Sequence, residues 1–278
     1  MCVKRVLVGL GLEACAETAT KYALEIAERF NAELTGVTLI DTPALTHTGP
    51  TPIGAGAYAQ KLSSDRTANA FRVASRLAKR FRQSCTTSRR PFELRCEEGD
   101  PLESLISIAR YHDLAVLGRD GLFEHGVMDE PLDGLVRLVS AGVRPIFVVP
   151  PDYRPIRRVV VAYSGSMESA KTLRRFMQFR AWPEAEVLLV HFAARHHAAA
   201  GEELLRDAAD YCHAHGVAAE TDLQIDSPRD ALLPYAESVG ADTVVIGNSA
   251  RRLMLRRLFG ETMLRVVREA ELPLFLCQ

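Results

Sequence analysis

The chain repeats itself. Lys4-Arg5-Val6-Leu7-Val8-Gly9 near the start returns as Arg157-Arg158-Val159-Val160-Val161-Ala162 in mid-chain. Each copy is a basic pair leading into an apolar run, the pattern of a strand buried on both faces of a parallel sheet. A helical segment follows each, 16–31 and 167–180. In the first, Ala19, Tyr22, Ala23, Ile26 and Ala27 recur at helical spacing and make one apolar face. Gly99-Asp100-Pro101 opens a segment ending in Asp113-Leu114-Ala115-Val116-Leu117-Gly118. Asp226-Ser227-Pro228 opens its counterpart, ending in Asp242-Thr243-Val244-Val245-Ile246-Gly247. Asp or Ser before Pro marks a helix start, with the cap supplied by the side chain and proline in the first turn. Both copies close on an apolar strand after a proline, at Pro145 and at Pro273.

Repeats with this alternation of strand and helix predict a parallel sheet with helices on both faces, built twice. The expected domains are 1–150 and 156–278, joined at Pro150-Pro151-Asp152-Tyr153-Arg154-Pro155, a proline-rich linker. Arg5 and Arg158 lie 153 residues apart, whereas Pro145 and Pro273 lie 128 apart. The first copy therefore carries an insertion after its second strand. It falls in the Gly-, Pro- and Thr-rich stretch from Thr42 to Tyr58, read as a surface segment or a lid in which Gly54, Gly56 and Tyr58 take part.

Bulk properties exclude several classes. With 34 basic and 35 acidic residues the net charge is −1, so no global field favours nucleic acid or an anionic membrane. No apolar run approaches the ~20 residues needed to span a bilayer. The opening MCVKRVLVGL reads as a strand and not as a leader, which points to the cytoplasm. Six cysteines form no C-x-x-C pair and no zinc spacing, so they are expected to be reduced thiols. His196 and His197 have no further ligands nearby in sequence, and no metal site is expected.

In order and spacing these segments resemble the universal stress protein family, in both halves. The resemblance implies two tandem doubly wound α/β domains, each a five-stranded parallel sheet of order 3-2-1-4-5. In such sheets the ligand crevice lies beyond the carboxyl ends of the strands, where the strand order reverses. Nucleotide-binding relatives carry an Asp after strand one and G-x-x-G, nine residues, then G-[S/T] after strand four. Glycines there let backbone N–H groups approach phosphate.

The second copy keeps part of that pattern. Gly247-Asn248-Ser249-Ala250 stands at G-x-x-G with Ala250 for the second glycine. Gly260 matches, but Glu261 replaces the hydroxyl residue and Thr262 follows it. Ser164 replaces the Asp, in Ser164-Gly165-Ser166. Glu261 opposes a triphosphate by charge, and Arg251, Arg252, Arg256 and Arg257 stand near enough in sequence to offset it. The expected cofactor is ATP or another adenine nucleotide, held weakly and in the second domain only. Its expected contacts are Ala162, Tyr163, Ser164, Ser166, His191, Gly247, Ala250, Gly260, Glu261 and Thr262. The first copy has drifted further. Gly11 replaces the Asp, Gly118-Arg119-Asp120-Gly121 keeps both glycines, and Leu132-Asp133 stands where the final glycine and hydroxyl belong.

The resemblance thus implies a stress-response binding or regulatory protein and no catalytic residues. Two alternatives compete. One is a nucleotide-free module that binds an unknown protein partner. The other is an adenylating enzyme, because Ser164-Gly165-Ser166-Met167-Glu168-Ser169 approximates a pyrophosphate loop. No nucleophile elbow follows a strand. Relatives of one domain resemble dimers joined through their final strands. Ile146–Val149 and Leu274–Cys277 are therefore expected to pair within one chain as a pseudo-dimer, with a homodimer of whole chains left open.

Overall fold

In the computed structural model the described residues are 3–11, 13–46, 56–119, 138, 141, 145–247 and 261–277. They group into two compact units. One comprises Val3–Leu138 and Val149–Asp152; the other comprises 139–148 and Tyr153–Gln278. The chain is α/β, with mostly parallel strands and helices on both sheet faces.

In the N-terminal unit, β1 (Arg5–Gly9) lies between β2 (Glu33–Ile40) and β4 (Leu114–Gly118), and β3 (Phe92–Glu98) lies outside β2. All three pairings are parallel. Helices α1 (Glu13–Phe30), α2 (Thr42–Thr46), α3 (Gly56–Thr87) and α4 (Pro101–Ala109) make the connections. Strand β4 is buried along its whole length, as its unbroken apolar run predicts. Helix α4 begins as the Asp-Pro signature requires: Asp100 accepts hydrogen bonds from the Leu102 and Glu103 amides at 2.8 and 3.1 Å. The insertion is largely helical where it is described. It forms α2, whose Ala44 amide donates to Asp41 Oδ1, and the first three residues of α3. Tyr58 there is 72% exposed; Gly54 falls outside the described residues.

In the C-terminal unit the parallel strands run β8 (Ala219–Gln224), β7 (Glu186–Phe192), β6 (Arg158–Ala162), β9 (Thr243–Gly247) and β10 (Leu274–Cys277). This is the expected order 3-2-1-4-5. Helices α5 (Met167–Phe179), α6 (Ala198–Ala214), α7 (Pro228–Ser238) and α8 (Glu261–Glu269) complete it. Strand β5 (Ile146–Val149), which the repeat assigns to the first copy, pairs antiparallel with β10, setting Phe147 opposite Phe275. Residues 146–148 accordingly group with this unit. Both phenylalanines are fully buried, and Phe147 lies 5.0 Å from the Trp182 ring.

The repeat is also visible in hydrogen bonds at the amino ends of the strands. Asp113 Oδ2 accepts the Lys4 and Arg5 amides, and Asp242 Oδ2 accepts those of Arg157 and Arg158. One carboxylate thus ties the first strand of each copy to its fourth. Among the described residues no helix is long and apolar enough to cross a membrane. No group of three His, Cys, Asp or Glu among them is placed to hold a metal.

Candidate functional site

In the C-terminal unit β6 and β9 are neighbours, yet their chain connections leave in opposite directions. That switch opens a crevice at their carboxyl ends. From β6 the chain turns through Ser164-Gly165-Ser166 into α5. Gly165 has φ +73°, a left-handed conformation, and an added Cβ would come within 2.7 Å of Leu204 Cδ1. Glycine therefore serves both the turn and the approach of α6. Ser166 is the N-cap of α5, its Oγ accepting the Ser169 amide at 3.1 Å. The Ser164 hydroxyl donates to Ser166 Oγ at 3.1 Å, and the Ser169 hydroxyl donates to the Ser166 carbonyl at 2.9 Å.

His191 sits near the end of β7, one of its ring edges fixed by backbone. Its Nδ1 lies 2.8 Å from the Tyr163 carbonyl. A carbonyl only accepts, so Nδ1 carries the proton and, in the neutral ring, Nε2 is an acceptor. Gly201 of α6 packs on the opposite edge, where a Cβ would stand 2.9 Å from His191 Cδ2 and 2.8 Å from Leu223 Cδ1. Gly247 ends β9 under α5. A Cβ there would meet Thr172 Oγ1 at 2.7 Å and the Glu168 carbonyl at 3.0 Å, so in this structure that glycine admits a helix.

These elements enclose a cavity of about 90 Å³. Its lining brings together Ala162, Tyr163, Ser164, His191, Gly247 and Thr262, six of the residues singled out in the sequence. Ser166 caps α5 and is not among the lining residues. Ala250 and Gly260 lie outside the described residues, as do Asn248, Ser249, the arginines at 251–257 and the Glu261 side chain. In the first copy Asp120, Gly121 and Leu132-Asp133 also lie outside them.

Sequence reasoning missed Ser169, Phe192, Pro228, Leu232 and Met263, which also line the cavity. The Asp226-Ser227-Pro228 helix start was a usable signal for Pro228. Phe192 is braced from behind by Tyr235, whose ring meets it edge-on at 6.0 Å and whose hydroxyl donates to Asp222 at 2.6 Å.

No lysine, arginine or carboxylate is among the described lining residues. Burial, then the Asp207 carboxylate, pushes the Tyr163 phenol above its ordinary pKa, so that wall stays neutral. At this size the cavity is well below the roughly 300–1,000 Å³ of pockets that enclose drug-sized ligands. A larger groove in the N-terminal unit, about 620 Å³, runs between α1 and α3 and is lined by residues such as Thr20, Leu77 and Phe81; neither Gly11 nor Gly118 reaches it.

The chain matches the universal stress protein family over residues 3–137 and 193–278. The stretch between those segments contains β5, β6, α5 and β7. Among solved structures, a universal stress protein from Archaeoglobus fulgidus is 18% identical, with a TM-score of 0.67, covering 99% of this chain and 96% of that one. A putative universal stress protein from Pseudomonas aeruginosa is 14% identical, with a TM-score of 0.61, covering 99% and 93%. A functionally unknown protein from the same species is also 14% identical, with a TM-score of 0.62, covering 99% and 92%. Likenesses at this identity establish the fold. None of the curated proteins matches the chain in sequence.

Proposed function

The chain belongs to the universal stress protein family, and from that premise we propose that it is a stress-response binding protein, with a weakened adenine-nucleotide site in its C-terminal unit. One observation carries this reading. Ala162, Tyr163, Ser164, His191, Gly247 and Thr262 come from four separate stretches of chain and line one cavity at the strand-order switch. The neutral lining suits the nucleoside part of a ligand better than its phosphates. Residues 248–261 carry the phosphate end of the proposal, and there Glu261 weakens ATP relative to AMP by charge.

Mass spectrometry of ligand released from the purified full chain, with calorimetry using ATP, ADP and AMP, tests this. Released nucleotide or measurable heat supports it, and Glu261→Ser then tightens ATP. No release and no heat at millimolar ligand overturns it in favour of the second reading, a nucleotide-free interaction module. That alternative draws on the Ser164–Ser166–Ser169 network, whose hydroxyls are engaged with one another and with backbone.

We propose no catalytic turnover, because among the described lining residues the Ser164 and Ser169 hydroxyls donate to Ser166 and not to His191, so neither is paired with the one imidazole as an activated nucleophile would be. ATP-dependent pyrophosphate release abolished by Ser164→Ala contradicts that. The pseudo-dimer through the final strands is likewise our proposal, supported by the antiparallel register of β5 on β10. A cytoplasmic location and a partner protein belong to the same proposal.

A further inference from the structure

The two copies end their third connecting helix in different ways, and the difference leaves a buried base in one of them. In the C-terminal unit Arg158 reaches across from β6, and its guanidinium donates to the Val239 carbonyl at 2.7 Å just beyond α7. It also pairs with Glu186 at 2.5 Å. The turn that follows contains Ala241, buried and without a polar side chain.

In the N-terminal unit the same turn contains His112. The correspondence follows from strand register, since Val6 pairs with Leu114 as Val159 pairs with Thr243. His112 is 3% exposed, and its Nδ1 lies 2.8 Å from the Ile108 carbonyl in the last turn of α4. That contact fixes the proton on Nδ1 and leaves Nε2 as a lone-pair acceptor. Nε2 is buried with no hydrogen-bond partner, and so is Arg5 Nε. The charged groups bearing on the ring are Arg5 on β1 and Arg95 and Glu93 on β3. Glu93 is already engaged by both arginines, at 3.9 Å to Arg5 and 2.9 Å to Arg95. Oδ2 of the adjacent Asp113 is taken by the Lys4 and Arg5 amides.

A second proton on this ring would therefore place a cation in a buried site beside two guanidiniums. Its new N–H would lack an acceptor. We propose that the turn between α4 and β4 is an acid-sensitive latch of the first copy alone: protonating His112 expels the ring, breaks its bond to α4 and loosens the Asp113 tie between β1 and β4.

The direction of the pKa agrees. Burial first, then Arg5 and Arg95, hold it below the ordinary histidine value of 6.5, against the Ile108 hydrogen bond and Glu93, which raise it. A lowered folded-state value means the unfolded chain binds the proton more readily. The stabilising contribution is complete above the ordinary histidine range and is lost as pH falls through it toward the folded value.

Hydrogen-exchange mass spectrometry of the full chain between pH 8 and pH 5, corrected for intrinsic exchange, reads this directly. Peptides covering 101–118 lose protection on acidification, while the equivalent peptides 228–247 of the same molecule keep theirs. In His112→Gln, which retains a donor for Ile108 but does not titrate, the step disappears. It disappears also in His112→Ala, which carries the residue found at Ala241. Equal behaviour of the two peptide sets in the wild-type chain overturns the proposal without recourse to any variant. So does persistence of the step in either variant.

Discussion

Replacing Gly36 with alanine tests how the first copy packs helix on sheet. Gly36 lies in β2, opposite Val8. A Cβ built there would stand 2.8, 2.9 and 3.1 Å from Cε1, Cδ1 and Cζ of Phe81. That ring is 1% exposed and packs edge-on against Phe92, with centroids 6.0 Å apart, so it has little room to retreat. Overpacking of this kind costs about 1–3 kcal/mol. Removing a glycine from a strand interior returns about 0.5–1 kcal/mol, so Gly36→Ala should destabilise the unit by a net ~0–2.5 kcal/mol. The second copy solves the same problem in reverse. Leu189 holds the equivalent place by register, opposite Val161. Ala208 stands four residues before the buried Cys212, as Phe81 stands four before the buried Cys85. Phe81→Ala alone should cost ~3–5 kcal/mol. The double change Gly36→Leu with Phe81→Ala should cost less than the two singles together, with a coupling of roughly 0.5–3 kcal/mol. Urea unfolding followed by far-UV circular dichroism measures these values. The only tryptophan, Trp182, lies in the C-terminal unit, so its fluorescence separates that transition from the other. A stabilising Gly36→Ala, or a strictly additive cycle, would refute the packing argument.

Cys85 and Cys212 are buried, and burial raises their thiols to about 12 and about 11 respectively. Cys96 is exposed. A thiolate-selective alkylating reagent at pH 8 should therefore modify Cys96 first and leave Cys85 and Cys212 unmodified until the chain unfolds; peptide mapping checks this, and early labelling of either buried thiol would contradict it. Phe147→Asp places a carboxylate in a fully buried position opposite Phe275 and 5.0 Å from Trp182. It should release β5 from β10, shift the Trp182 emission to the red and enlarge the radius of gyration in solution scattering. An unchanged emission and radius would count against the strand pairing as a structural contact.

The features that depend on local pattern were legible in the chain before folding. Short apolar runs such as Leu114–Gly118 and Thr243–Gly247, closed by glycine, have the pattern of strands buried on both faces, and Asp100-Pro101 carries its own helix start. Their recurrence predicts the same α/β unit twice, and the family resemblance implied the strand order. The family resemblance implied one crevice for Ala162, Tyr163, Ser164, Ser166, His191, Gly247, Ala250, Gly260, Glu261 and Thr262, because a parallel sheet brings strand ends together at the order switch; six of them line one cavity, Ser166 does not, and Ala250, Gly260 and the Glu261 side chain lie outside the described residues. Tertiary structure decided what each of those residues is used for. Ser166 spends a lone pair capping α5, Gly247 makes way for that same helix, and His191 takes its tautomer from the Tyr163 carbonyl. It also decided that residues 146–148 group with the C-terminal unit, and that His112 has a bonded nitrogen and a bare one. These are non-local facts. A hydrogen bond between Tyr163 and His191, or a Cβ clash between Gly36 and Phe81, depends on which helix lies over which strand and how closely. The spacing of residues along a single element does not encode that distance.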